Sequence, residues 1–280
     1  MALSVLNNIS SLQSQNQLNA TSVSMNRTLF RLSSGLRITT GADDAAGLSI
    51  ADGLRGQVRA LNQATRNAND GISYLQVADG ALNEVSNLLT RAVTLAEESA
   101  NGTLSATQRD SVELEFQQIY AEINRIGTNT KFNGASVFSG TATDIFVGDT
   151  SNTSTISFTV RSLAATSIAD GSGSNAANVS GLSLSTASGA SSALSTLSTA
   201  ISNIASQRAV LGAASNRLSS AVSVIASQAQ NLQAAESQIR DANMAEEVAA
   251  MTRYQILNQT GIAALAQANQ SAQSVLSLFR

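Results

Sequence analysis

The chain has 280 residues, a formal net charge of −3 and only 12% charged residues, so no basic footprint marks it for nucleic acid. It contains no Cys and no His, which excludes disulfides, thiolate metal sites, thiol nucleophiles and Ser-His triads, and with them most zinc enzymes. Pro and Trp are absent and aromatic residues make up 4%, so nothing obliges a helix to break, and a core must come from Leu, Ile, Val and Ala, as in narrow coiled-coil seams.

Residues 1–26 carry no charged side chain. Leu3, Leu6, Ile9, Leu12 and Leu18 punctuate a background of Ser, Asn and Gln, a pattern that predicts an amphipathic helix. No basic stretch leads into an apolar core here, so a cleaved secretory signal is not expected. No run in the chain approaches the ~20 apolar residues of a membrane span, so no membrane insertion is expected either.

A strict seven-residue repeat follows: Leu61, Ala68, Leu75, Leu82, Leu89 and Ala96, with Ala64, Gly71, Ala78, Val85 and Ala92 three places after the first five. This a/d seam predicts a rod-like helix, roughly 53 Å from 61 to 96, whose small residues let a partner helix approach closely. Asn101-Gly102 marks a turn, and Ser105 with Gln108 has capping-box spacing. Val112, Phe116, Ile119, Ile123 and Ile126 then lie on one face of a third helix, antiparallel to the first rod because the connection is short.

Asn133-Gly134 is a turn signal. Ile145-Phe146-Val147 and the alternating Ile156, Phe158 and Val160 predict two strands around a polar turn. From Ser167 to Ser192 the composition collapses to Ser, Gly, Ala, Asn and Thr, which predicts a flexible exposed loop. A second seam follows, with Leu197, Ile204, Leu211, Leu218, Ile225, Leu232 and Ile239 seven apart. Residues 254–279 are again free of charge, with Ile256, Ile262, Leu265, Val275 and Leu276 as their apolar positions. The whole is a mainly α fold: a long antiparallel helical coiled-coil bundle formed by both chain halves, with a small β-hairpin region in the middle.

Two uncharged ends are unusual, because exposed helix faces are normally solvated by Lys and Glu. They suit a helical polymer, where the same residue recurs in every copy and like charges would repel. Alone, residues 1 to about 40 and about 240 to 280 cannot bury their apolar stripes, so they are expected to be disordered in the free subunit and to become helical on assembly.

The segment LSSGLRITTGADDAAGLSIADGLRGQ, starting at Leu32, resembles the N-terminal signature of bacterial flagellins, as does MALSVLNNISSLQSQNQLN at the start. RLSSAVSVIASQAQNLQAAESQIRDANMAEEVAAMTRYQILNQTGIAALAQANQSAQSVLSLFR is similar almost throughout to flagellin C-termini, including the close in Leu278, Phe279 and Arg280, and KFNGASVF at 131–138 also matches. The likeness spans 1–165 and 190–280; large flagellins insert outer domains where this chain has only its Ser/Gly/Ala tract.

The resemblance implies a structural subunit that self-assembles into the helical flagellar filament used for swimming motility. The alternative is a flagellin-like hook–filament junction protein, which shares such ends but is made in few copies. It implies three parts: an inner terminal coiled-coil domain from 1–44 plus 240–280, a helical rod from 45–140 plus 190–239, and a short β-hairpin and variable region from 141–189. The partners implied are further copies of the chain, the flagellar export apparatus, a flagellin chaperone, and hook-associated and cap proteins. Secretion to an extracellular bacterial flagellum is implied as well, and no cofactor or catalytic residue is expected. Self-assembly is assigned to the ten apolar positions of the two ends: Leu3, Leu6, Ile9, Leu12, Leu18, Ile256, Ile262, Leu265, Val275 and Leu276.

Arg91, Leu95 and Glu115 occupy family positions associated with an innate immune receptor of vertebrates, while Val93 and Thr94 stand where many recognised flagellins have a charged pair. Asp43-Asp44 read as acids at a helix start rather than metal ligands, and Glu246-Glu247 as first-turn acids or intersubunit salt-bridge material. Arg31, Arg37, Arg55, Arg59 and Arg66 are expected to pair with acids of a neighbouring subunit. The Ser/Thr-rich stretch 150–192 offers hydroxyls for O-linked sugars, which occur in parts of the family.

Overall fold

The first heptad seam forms the spine of the computed structural model, which describes residues 8–149, 154–169 and 176–278, with side chains to Ser271. All eleven seam positions from Leu61 to Ala96 are buried. They lie on α2 (Ala45–Ala100), a helix of 56 residues. The chain divides into two compact units: one takes both ends, up to Gly56 and from Asn231, and the other runs from Gln57 to Gln230.

In the middle unit, α2 is followed by α3 (Ala106–Asn129), whose start carries the capping box expected for Ser105 and Gln108. Phe116, Ile119, Ile123 and Ile126 form its buried face. The Arg91–Glu115 and Ser99–Arg109 contacts fix α3 antiparallel to α2. The second seam lies on α4 (Ala187–Arg240). Arg208 donates to Asp79 at 2.8 Å and to Asn83 at 3.1 Å, and Leu218 packs at Gly71, so α4 also runs antiparallel to α2. The hydrogen bond to Asp79 raises the Arg208 pKa above the ordinary guanidinium value, against a smaller opposing effect of burial. Leu197, Ile204, Leu211, Leu218 and Ile225 are buried, while Leu232 and Ile239 are half-buried.

An 18-residue window of α4 reaches a mean hydropathy of 1.2, so by length and composition alone this helix could cross a membrane. In this fold Leu197, Ile204, Leu211, Leu218 and Ile225 of that helix are buried in the middle unit, while Leu194, Ile201, Leu232 and Ile239 are half-buried.

Between α3 and α4 lie small antiparallel sheets. β1 (Lys131–Phe132) and β2 (Ala135–Ser136) close through Asn133 and Gly134, both at positive φ, as a two-residue turn requires. β3 (Ala142–Phe146) pairs with β4 (Thr155–Thr159), with Ile145 opposite Ile156 and Thr143 opposite Phe158. Tyr74 of α2 holds both hairpins: its ring lies 5.6 Å edge-on to Phe132 and 5.8 Å from Phe158, and its hydroxyl donates to the Val137 carbonyl.

The Ser/Gly/Ala tract differs from the expected loop over its described part. β5 (Leu163–Ala164), β6 (Ser167–Ala169) and β7 (Ala176–Ala177) make a three-stranded sheet, and α4 begins at Ala187 within the tract. Ile168, Ala177, Val179 and Leu184 are buried. Amide side chains of the helices capture the backbone of this region. Asn203 donates to the Ile168 carbonyl at 2.8 Å, Gln207 donates to the Arg161 carbonyl, and the Asn124 side chain accepts from Ala165 N–H. Ser99 and Glu113 hold Leu184 in the same way. Small side chains let the strands lie close to the rod: Gly127 of α3 sits so near the Leu163 carbonyl that a Cβ there would stand 1.8 Å from its oxygen.

Candidate assembly surface

The terminal unit is built on α1 (Ile9–Ser34) and α5 (Met244–Leu278). Asn8 caps α1 through Ser11 N–H, and its amide donates to the Ala268 carbonyl at 3.0 Å. Asn258 donates to Ser22, Leu18 packs at Gly261, and Arg31 lies 3.6 Å from Glu247. These pairs ascend α1 as they descend α5, so the two ends of the chain form an antiparallel pair.

The connectors are pinned by backbone. Gly35 ends α1 in the left-handed conformation at φ 72°, Arg37 N–H donates to the Arg240 carbonyl at 2.7 Å, and Ala242 N–H donates to the Gly35 carbonyl at 2.9 Å. Arg31 in the last turn of α1 complements the helix dipole and reaches both Asp43 and Glu247. Both of these ion pairs lie within the chain. Arg37 donates to the Ile239 carbonyl, and Arg66 donates to Gln63. Arg55 and Arg59 are exposed, with no ion pair among the described residues.

Asp43 and Asp44 have distinct local tasks. Asp44 caps α2 by accepting from Gly47 N–H at 2.9 Å. Asp43 accepts from the hydroxyls and backbone N–H groups of Thr39 and Thr40. The Thr39 hydroxyl bond is the largest reason why its pKa is lowered from 3.8 to about 2, with desolvation opposing. A depressed carboxylate stabilises the fold above its unfolded pKa and loses that contribution as pH falls through the folded value. The Thr39–Asp43 turn is therefore expected to loosen between about pH 4 and pH 2. A carboxyl NMR titration of Asp43 checks this; a midpoint at or above 3.8 would contradict it.

Most of the terminal unit has no interior. Among its described residues the buried apolar side chains are Ile38 and Ala51, and two threonines of α1, Thr21 and Thr28, are buried as well. Apolar side chains face outward instead: Ile9 is 68% exposed, Leu12 60%, Ile256 59% and Ile262 55%. Leu18 and Leu265 are half-buried. Leu3 and Leu6 lie outside the described residues. Val275 and Leu276 continue the backbone of α5, but their side chains also lie outside them.

Sequence reasoning missed other exposed members of this surface, among them Val23, Phe30, Met244, Val248 and Leu257. A signal was present for two of them, since Ile9, Val23 and Phe30 share one seven-residue register. The hydroxyls between these apolar positions bond to their own helix. Ser14 donates to the Ser10 carbonyl, Thr21 to Gln17, Ser24 to Ala20, Thr252 to Val248 and Thr260 to Ile256, all at 2.7–3.0 Å.

In the middle unit, Arg91 donates to Glu115 at 2.8 Å on the exposed faces of α2 and α3. Leu95 is 1% exposed, inside the seam behind that pair. The structure thus brings the two charges together at the surface and puts the leucine beneath them.

A family model described as the bacterial flagellin N-terminal helical region matches residues 5–143, and one described as the bacterial flagellin C-terminal helical region matches 194–279. The chain is 41% identical over 282 residues to the flagellar filament 33 kDa core protein of Treponema phagedenis, covering 98% of each chain. It is 37% identical over 299 residues to a flagellin of Bacillus subtilis, again covering 98% of each. The crystal structure of Bacillus cereus flagellin aligns with 61% of this chain and 94% of its own at 32% identity, with a TM-score of 0.49.

Proposed function

The chain belongs to the bacterial flagellins and is a structural subunit of the helical flagellar filament, and we propose that it polymerises through the uncharged, outward-facing apolar surface of α1 and α5. One observation carries this reading: a paired set of helices with almost no interior presents Ile9, Leu12, Ile256 and Ile262 to solvent. Fully burying such a side chain contributes roughly 1.5–3 kcal/mol. The contact must be heterologous, because a head-to-tail surface that does not close generates an open helix. In this reading segments 1–44 and 240–280 form the inner joint, 45–140 and 190–239 the rod, and 141–189 the variable face. The subunit performs no catalysis. It leaves the cell through the flagellar export apparatus with a flagellin chaperone, and meets hook-associated and cap proteins at the ends of the filament.

The same surface couples order to assembly. Helices that bury so little are marginal alone, so the subunit in solution keeps residues 1–40 and 240–280 largely unfolded and gains α1 and α5 on joining its neighbours. Amide exchange on dilute subunit should be fast across both ends and slow in the polymer; strong protection of both ends in the monomer would refute the coupling. A chain lacking residues 1–40 should keep a folded middle unit and form no filaments.

Recognition by an innate immune receptor of vertebrates would use Arg91 and Glu115 as exposed contacts, with Leu95 supporting them from within. Soluble monomer applied to receptor-bearing reporter cells tests this, and Arg91→Ala should lower the response.

A further inference from the structure

The exposed dipeptide Asn101-Gly102, between α2 and α3, is held by more than a turn requires. Thr103 N–H donates to the Asn101 side-chain oxygen at 3.2 Å. That bond folds the carboxamide over the peptide group linking Asn101 to Gly102. The carbonyl oxygen of the same peptide accepts from Arg109 Nη2 at 2.8 Å and from Leu104 N–H at 3.3 Å. A second bond, from Nε to the Ser99 carbonyl at 2.9 Å, fixes the guanidinium there. Arg109 forms no ion pair among the described residues, so no carboxylate is bound to this charge.

These are the donors that a cyclisation of asparagine needs. Loss of the Gly102 N–H proton puts negative charge on the Asn101 carbonyl oxygen, where the guanidinium receives it. Attack of that nitrogen on the side chain puts negative charge on the side-chain oxygen, where Thr103 N–H receives it. Gly102 N–H itself makes no hydrogen bond among the described residues. A Cβ at this glycine would meet nothing within 4 Å, so a ring has room to close.

We propose that Asn101 is a self-modifying site. The Gly102 nitrogen bonds to Asn101 Cγ, the Cγ–Nδ2 bond breaks, and ammonia leaves with the former amide proton. Water then opens the cyclic imide at either of its carbonyls, giving aspartate or its β-linked isomer. Both products add a negative charge at the turn that Arg109 holds, and the β-linked one reroutes the backbone between α2 and α3. The reaction needs no enzyme and no second copy of the chain, so it is independent of the polymer reading. Asn133-Gly134 provides an internal control. It is the same dipeptide and is exposed, but no guanidinium meets its carbonyl and no N–H meets its side-chain oxygen among the described residues.

The full-length subunit is incubated in mildly alkaline buffer, native and in urea, and peptides bearing each asparagine are followed for the mass gain of an amide turned acid. Asn101 should convert about tenfold faster in the native chain than in urea, because a hydrogen bond to a charged group stabilises the anion by that much. Asn133 should convert no faster in the native chain than in urea. Arg109→Gln should slow native Asn101 about tenfold and leave Asn133 unchanged. Loosening of the turn cannot mimic this, since it only carries the rate towards that of the urea-unfolded chain, measured alongside. A native Asn101 rate at or below the urea rate, an equal acceleration at Asn133, or an Arg109→Gln chain that reacts as fast as the native one overturns the proposal.

Discussion

Lysine in place of both Leu12 and Ile256 is expected to abolish filament growth while leaving the subunit soluble and its middle unit folded. Both side chains already face solvent in the single chain, so the substitutions remove no intrachain packing of consequence. Their effect falls on the joint. A lysine there must be desolvated without a partner, because residues 1–26 and 254–279 contain no acid to receive it. Leaving a buried charge unpaired costs about 3 kcal/mol or more, equivalent to at least a hundredfold in the concentration needed for growth at each site. Glutamine at the same two positions should be milder, since it loses apolar area without adding charge. Sedimentation of seeded mixtures across subunit concentrations reads the effect, and normal filaments from the double lysine variant would remove the basis of the proposed joint.

The largest effect on folding is expected at Gly127. The Leu163 carbonyl oxygen occupies the place where a Cβ would be, and it belongs to the backbone of β5, so no flexible side chain can yield. Gly127→Ala should force the three-stranded sheet off α3, breaking the Asn124–Ala165 hydrogen bond with it. Overpacking against backbone costs about 3 kcal/mol, which should lower the urea midpoint of the middle unit by roughly 1–2 M. An unchanged midpoint would mean that β5 is held elsewhere.

The rod was plain in the sequence because a seam repeats one rule many times. Each heptad from Leu61 to Ala96 restates the same buried stripe, and the structure buries every member. The β3–β4 hairpin was plain for a similar reason, through the alternation of Ile156, Phe158 and Val160. The sheet β5–β7 was not, because strands of two or three small residues have no periodicity to read. What signals it lies on the helices that receive it. Asn203 and Gln207 are buried amides on a helix otherwise packed with Leu, Ile and Ala, and a buried amide must find a backbone partner.

The proposed assembly surface was half legible. Absence of charge marks residues 1–26 and 254–279, but the exposed Phe30, Met244 and Val248 lie outside them, and the division of labour among the leucines follows from how α1 lies on α5. Leu18 meets Gly261 within the chain, while Leu12 stays outside, and no spacing rule separates them without the partner helix. The pairing of Arg31 was likewise hidden, because Glu247 is over two hundred residues away in sequence.

The hydroxyls of α1 and α5 that turn back onto their own carbonyls have a consequence for the cell that swims. Such groups spend their donor within their own helix and carry no charge to be shielded. The proposed joint of α1 and α5 should therefore depend only weakly on the saltiness of the medium, so that filaments carried from brine to fresh water are expected to keep it.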